Sequence, residues 1–464
     1  MNSFLVAPRT TATLDPQFRP AVLANRRLRE EARKFGVPLR IDLAFERSDG
    51  SISRHATELP PEKHPQAEHN FHFVERLCKF LLWSRGAFRI HFAGPKDLFS
   101  KLERHYKETA VGKFDAAIMG EKIYDSPFEV VHTPLEKLPA ENESAAPLGR
   151  HLDGCRIGFD LGASDRKAAA VLDGKAVFTE EIPWDPRPQS DPQWHVDQIM
   201  DSLRRVAAHL PRVDAIGGSS AGVYVNNRVK VASLFRGVPD DLFRTRIKDI
   251  FLELKREWNG IPFEVVNDGE VTALAGSMSL KANAVLGVAL GSSQAAGYVT
   301  PQGNITTWLN ELAFAPIDYR PAAPADEWSG DLGCGVQYFS QQAVGRLLPA
   351  SGLPIDPSLP LPEKLVEVQK AMTRGDERAA KIYQSIGVYL GYTIPHYAEF
   401  YDVEHLLLLG RVTTGHGGQI IIEQARSILK NEFGDLRVQI HMPDEKEKRH
   451  GQAVAAASLP VIEK

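Results

Sequence analysis

The chain reads as an α/β protein whose parallel strands are covered by helices, and three observations predict it. From Arg156 to Ser458, short apolar runs alternate with stretches of helical apolar spacing, the pattern of strands joined through helices. Two of those runs fold back at glycine-bearing tips, Gly162 to Ser164 and Gly291 to Ser293. Other runs end in polar or glycine-rich stretches at the carboxyl side, where open sheets of this class place ligands.

Taken in order, residues 1–20 are polar and proline-bearing and form a tail or strap. Residues 21–35 have helical spacing, with Leu23, Leu28 and Ala32 on one side. Glu30 and Glu31 among the arginines make this a solvated amphipathic face rather than a nucleic-acid surface. Residues 38–46 and 51–56 are strands joined at Ser48-Asp49-Gly50. Residues 71–83 form a helix with Phe73, Val74, Leu77, Phe80 and Leu81 toward a core. A strand at 88–92 leads through Ala93-Gly94-Pro95 into a helix at 96–106, and strands follow at 114–119 and 128–132. Residues 139–147 lack bulky apolar side chains and form a linker. Residues 1–150 are therefore an accessory α/β domain with its linker.

The next unit opens with Ile157 and Phe159 alternating toward Asp160, a tip at Gly162 to Ser164, a second run to Leu172, and a turn at Asp173-Gly174. Asp191 is a helix cap and Pro192 a first helical residue. Val196, Ile199, Met200, Leu203, Val206, Ala207 and Leu210 trace the apolar stripe of that helix. A strand at 213–216 enters Gly217-Gly218-Ser219-Ser220-Ala221-Gly222. A helix at 240–258 precedes the strand 263–266, which ends at Asn267-Asp268-Gly269-Glu270 where another helix begins.

A third unit repeats the layout. Residues 285–290 and 295–299 flank Gly291-Ser292-Ser293-Gln294, and residues 300–304 make the next turn. Helices are expected at 362–373 and 376–401, the second kinked by Pro395. A buried strand at 405–409 meets Gly410-Arg411-Val412-Thr413-Thr414-Gly415-His416-Gly417-Gly418, which opens a helix at 419–432. A strand at 436–442 and an alanine-rich helix at 451–458 complete the chain.

Composition excludes several classes. With 464 residues, 43% hydrophobic and 25% charged, the chain is that of a soluble protein of two or three domains. A formal charge of −4 gives no bulk attraction for nucleic acid. The three cysteines, Cys78, Cys155 and Cys334, are too few and too far apart for a disulfide framework and fit a cytoplasmic setting. Phe80-Leu81-Leu82-Trp83 is too short to span a membrane, and no signal-peptide core is present. The fifteen histidines show no metal-ligand spacing beside cysteines.

The small-residue tips let backbone N–H groups approach an anion. Ser164 and Lys167 add a hydroxyl and a cation, and Asp160 suits Mg²⁺ or its water shell. Each tip, taken alone, is also what an ordinary hairpin turn requires. Asn267-Asp268 has two readings as well, a helix cap or a catalytic pair.

In their order, these motifs resemble the sugar-kinase/actin/heat-shock-ATPase superfamily, and within it the ROK family of glucokinase-like sugar kinases and sugar-sensing proteins. The resemblance runs from Arg156 to Ser458. It implies a two-lobed actin-like (ribonuclease H-like) ATPase fold behind the accessory domain. The lobes would be residues 151–280 and 281–464, with the last helix returning to the first lobe. Asp160, Gly162, Ser164 and Lys167 stand at the first phosphate motif, Gly291, Ser292 and Ser293 at the second, and Gly410, Thr413 and Gly415 at the adenosine motif. Asp268 would be the general base, with Asn267, Glu311, Ser220, Ser233 and Asp331 as sugar contacts. The cofactors implied are ATP and Mg²⁺, with Asp160 toward the metal directly or through water. The partner is a small sugar; a homodimer follows by family analogy, and neither nucleic acid nor membrane is expected.

The chain departs from the family around its substrate loop. Asn310-Glu311-Leu312-Ala313-Phe314 keeps the acid but has Phe314 where the family has histidine. Residues 324–340 hold a single cysteine, Cys334, so no structural zinc is expected. Asp326, Glu327, Trp328 and Asp331 are candidates for the missing contacts or members of a solvated loop. A sensor that binds sugar and nucleotide with weak or no kinase activity, and a non-sugar acceptor such as a polyol or small carboxylate, are the rival functions. Residues 1–150 could pad a lobe, form a dimer face or shape the substrate mouth.

Overall fold

The computed structural model describes residues 4–143, 148–443 and 445–462; residues 144–147 of the expected linker lie outside them. The first sheet holds strands β1 (Leu39–Glu46), β2 (Ile52–Leu59), β3 (Arg89–Ala93) and β4 (Glu129–His132) in the order β2-β1-β3-β4. Helices Ala21–Lys34, Asn70–Arg85 and Lys96–Glu108 accompany it. The strand expected at 114–119 is instead helical: helix Ala110–Ala117 continues as a π-helical turn over Ile118–Tyr124. A short apolar run is ambiguous by pattern alone. The deciding signal is Thr109, whose side chain caps the helix by accepting a 3.0 Å bond from Gly112 N–H.

The second sheet is built from β5 (Cys155–Leu161), β6 (Asp165–Leu172), β7 (Lys175–Pro183), β8 (Ala215–Ser220) and β11 (Phe263–Asn267); β9 (Val223–Val225) and β10 (Arg228–Val231) form a separate hairpin. Its order is β11-β8-β5-β6-β7, with β5, β8 and β11 parallel and β5-β6-β7 an antiparallel meander. Helix Pro192–Ala207 covers it with Ile199, Leu203 and Val206 fully buried. The single helix expected over 240–258 is broken into Asp240–Leu242, a π turn over Phe243–Ile247, and Ile250–Glu257. Tertiary pairing accounts for the break, since Val229 N–H of β10 takes the Lys248 carbonyl at 3.0 Å.

The third sheet runs β13-β12-β14-β15, from β12 (Val285–Leu290), β13 (Gln294–Val299), β14 (His405–Leu409) and β15 (Gln439–His441). It repeats the second sheet without the third meander strand: after β13 only a single bridge, Val299 to Ile305, remains. Helices Leu361–Thr373, Glu377–Tyr397 and His416–Glu432 pack here, and Pro395 sits in the last turn of its helix rather than at a mid-helix kink. A helix at Gln341–Ser351 was not foreseen; Ser340 caps it, accepting from Gln342 N–H at 3.0 Å.

Two glycines fix where the last helix, Glu445–Ala457, lies. A Cβ at Gly158 would stand 1.8 Å from the Ala453 carbonyl oxygen, and one at Gly217 would stand 1.7 Å from that of Ala456. The alanine-rich helix therefore crosses from the third sheet to lie flat on β5 and β8 of the second. The N-terminal stretch is a strap: Ala12 and Phe18 are buried in the core of the third sheet's unit. Asp15 receives bonds from Arg320 (2.5 Å), Arg346 (2.8 Å) and the Tyr389 hydroxyl (2.8 Å). Among the described residues, no helix is long and apolar enough to cross a membrane.

Candidate active site

The parallel strands of the second sheet end in one row. The register pairs Asp160 with Ser219, and Ser220 with both Leu161 and Asn267. Asp160, Ser219, Ser220, Asn267 and then Asp268 thus line the carboxyl edge of three adjacent strands. Both residues meet the helix start. Asn267 is the cap: its Oδ1 accepts from Gly269 N–H at 2.6 Å, while its Nδ2 donates to the Gly222 carbonyl at 2.6 Å. Asp268 is the first helical residue, partly exposed, its Oδ1 taking a longer 3.0 Å bond from Gly269 N–H.

The helix Asp268–Leu280 is pressed against the third sheet. A Cβ at Gly269 would meet the Ala296 carbonyl oxygen at 2.2 Å, and one at Gly297 would meet the Gly269 carbonyl at 2.1 Å. Backbone-to-backbone contact of this closeness requires glycine on both sides, and it sets Asp268 between the second and third sheets.

Four acids gather here. Burial, then the neighbouring Asp160 charge, push the Asp268 carboxyl up to about 6. Burial and then Asp268 raise Glu311 to about 7. Burial raises Glu270 to about 8 against the bonds it accepts. Asp160 is raised by burial, opposed by the 2.7 Å bond from the Ser219 hydroxyl and by Lys167 at 4.0 Å. Acids that lift one another in this way mark a place suited to a cation or a proton transfer.

The first glycine tip is stapled by Trp184, whose indole N–H donates to the Gly162 carbonyl at 2.8 Å and whose backbone N–H donates to Ser164 O at 3.1 Å. Lys167 pairs with Asp165 at 3.0 Å, and Ser164 donates to the same side chain. At the second tip, Ser292 and Ser293 are exposed. Gly410, at φ +100°, backs onto the end of β12, where a Cβ would stand 2.3 Å from Leu290 O. Thr413 turns inward to donate to the Gly410 carbonyl at 2.8 Å, and Gly415, at φ +73°, opens the helix His416–Glu432. The second tip and the 410–415 loop therefore sit side by side at the carboxyl edge of the third sheet.

The remaining expected sugar contacts divide. Ser220 lies in the row and bonds the Tyr224 hydroxyl at 2.7 Å. Ser233 is exposed at the start of a short 3-10 turn, and no geometry ties it to the acids. Asp331 lies in a buried network: Arg76 approaches it at 3.0 Å and Lys79 at 3.2 Å, and these cations hold its carboxyl down to about 2. Sequence reasoning missed Glu270 and Asn310. Glu270 accepts from Asn310 Nδ2 at 2.5 Å and Tyr298 N–H at 3.2 Å, and the Tyr401 hydroxyl donates to Asn310 Oδ1 at 2.8 Å. Glu270 stands two residues beyond Asp268, and that adjacency was its only signal.

This fold is shared with solved ROK structures. The ROK hexokinase of Thermus thermophilus aligns with 65% of this chain and 96% of its own, at 18% identity and a TM-score of 0.52. A ROK-family transcriptional regulator, a homologue of the E. coli MLC protein, aligns with 66% of this chain and 78% of its own, at 18% identity and a TM-score of 0.54. No family model and no curated protein sequence matches the chain. The architecture is that of the ROK proteins, an α/β actin-like ATPase fold.

Proposed function

We propose that the protein transfers the γ-phosphoryl group of ATP to a hydroxyl of a hexose or related sugar. The observation that carries this is Asp268: it stands at the carboxyl edge of the second sheet with Asp160 and Glu311, one carboxylate oxygen taking the Gly269 N–H and the carboxyl raised toward neutrality. Phosphoryl transfer asks a protein for positioning and charge neutralisation more than for covalent chemistry. Asp268 accepts the proton of the attacking hydroxyl, and its raised pKa makes it a stronger base than an exposed aspartate while leaving it ionised at pH 7. Asn267 and Glu311 orient neighbouring hydroxyls. The tips at Gly162–Ser164 and Gly291–Ser293 hold the phosphates from the two lobes, and Gly410, Thr413 and Gly415 border the nucleoside.

Among the described residues no group of three or more His, Cys, Asp or Glu side chains could hold a metal by itself. The donor set fits a magnesium ion that brings phosphate and water ligands with it and takes Asp160, directly or through water, as its protein contact. Bound so, the ion supplies neutralisation of the phosphate oxygens.

Sugar sensing with little turnover is the second reading, motivated by Phe314 in the substrate loop. Its ring lies 4.2 Å from Trp83 and 5.2 Å from Trp328 and offers no hydrogen bond to a sugar hydroxyl. A panel of monosaccharides incubated with Mg·ATP, read by mass spectrometry for the sugar monophosphate, separates the two. A phosphorylated sugar is expected. Sugar-dependent thermal stabilisation without any phosphorylated product would assign the protein to sensing.

A further inference from the structure

The segment that carries Glu311 is not held by its own lobe alone. Asn310 N–H and Glu311 N–H donate to the carbonyls of Ser84 and Trp83, each at 3.0 Å, at the end of helix Asn70–Arg85. Phe314, three residues on, packs against Trp83 with its ring tilted by 33°. The same helix anchors the segment's far end through the Arg76 and Lys79 pairs to Asp331. Those cations are themselves fixed: Arg76 lies 2.5 Å from Glu75, and Lys79 lies 2.7 Å from the fully buried Asp115, which also accepts the Trp83 indole N–H at 3.0 Å. From the other side, Glu270 of the Asp268 helix holds Asn310, whose backbone sits at φ +51°.

We propose that the first domain is a working part of the acceptor site, with helix Asn70–Arg85 positioning Glu311 opposite Asp268. This rests on the phosphoryl-transfer reading of the site. Arg76, Lys79 and Trp83 are positioning residues that act through the 310–331 segment. Beyond short turns and isolated bridges the segment has no regular structure and would otherwise sample many conformations, and ordering it in advance lowers the cost of binding the acceptor. The buried ion pairs suit this use: each has a defined geometry, and breaking one leaves an uncompensated charge.

The test uses the full-length protein with Asp331→Asn and the milder Trp83→Phe. Acceptor KM is expected to rise roughly tenfold in Asp331→Asn and less in Trp83→Phe, with ATP KM changed less than about twofold. Amide exchange at residues 310–314 is expected to accelerate in both variants while the β5–β8 core keeps its protection. A lowered melting temperature with acceptor KM and 310–314 exchange unchanged in both variants would overturn the proposal and leave the helix a scaffold. If the wild type phosphorylates and binds no sugar, the transfer reading falls. The exchange experiment then decides the positioning alone: faster exchange at 310–314 upholds it, and unchanged exchange removes it.

Discussion

Asp268 and Glu270 sit two positions apart on one helix and should announce themselves differently in pH experiments. Asp268 must be ionised to accept a proton, so kcat/KM for the acceptor should fall as pH drops through about 6. A pH–rate profile checks this against the plateau expected near pH 8. Glu270 bears on stability. Its folded pKa, about 8, lies above the ordinary 4.5, so the folded state holds a proton that the unfolded chain has released. Stability should therefore decline as pH rises from 4.5 through about 8. Glu270→Gln, which keeps an acceptor for Asn310, should flatten that decline in melting curves recorded at pH 5.5 and 8. Of these two residues only Asp268 is singled out by the sequence. A strand ending in Asn-Asp is a recognisable motif, whereas Glu270 gains its meaning from Asn310 and Tyr401, distant in sequence.

Among the elements, hairpins and long amphipathic helices were legible because their signals are local. Ser48-Asp49-Gly50, Asp173-Gly174, and the Asp191 cap with its apolar stripe are each decided within a few residues. The elements misread are those where tertiary contact overrides pattern. Residues 114–119 are helical around a buried Asp115 that serves Lys79 and Trp83, and residues 240–258 break where Lys248 pairs with β10. The glycines under the last helix follow the same rule, since nothing near Gly158 or Gly217 in sequence announces Ala453 or Ala456. Gly217→Val would drive a side chain into the Ala456 backbone and should destabilise the protein by about 3 kcal/mol or more. Chemical denaturation measures this, with Gly260→Ala, whose Cβ meets nothing within 4 Å but whose φ is +70°, as a control expected to cost about 1–2 kcal/mol.

At the scale of the whole molecule, the N-terminal unit touches the units of both other sheets. Toward the second sheet, Asp125 pairs with Lys230 at 2.6 Å and Lys248 at 2.8 Å, and Val223, Val225 and Val231 pack on the domain's core. Toward the third sheet's unit, Arg85 lies over the Trp308 ring at 3.3 Å, and Trp308 bonds Glu143 at 2.9 Å. If the proposed phosphoryl transfer requires the second and third sheets to close on substrate, the N-terminal unit touches both. Asp125→Ala removes both lysine pairs and leaves the buried Lys230 without its carboxylate, at a cost of roughly 1–3 kcal/mol. Small-angle scattering with and without nucleotide and sugar should detect a larger compaction in that variant than in the wild type. The sequence left this unit without a role, and the contacts that suggest one join residues more than a hundred positions apart.

The most direct measurement compares wild type with Asp268→Asn for both sugar binding and sugar phosphorylation under saturating Mg·ATP. The expected result is sugar affinity retained within a few-fold while kcat falls by about 10²–10⁴. Equal turnover in the two proteins would contradict the assignment of Asp268 as the base and with it the kinase reading of the site.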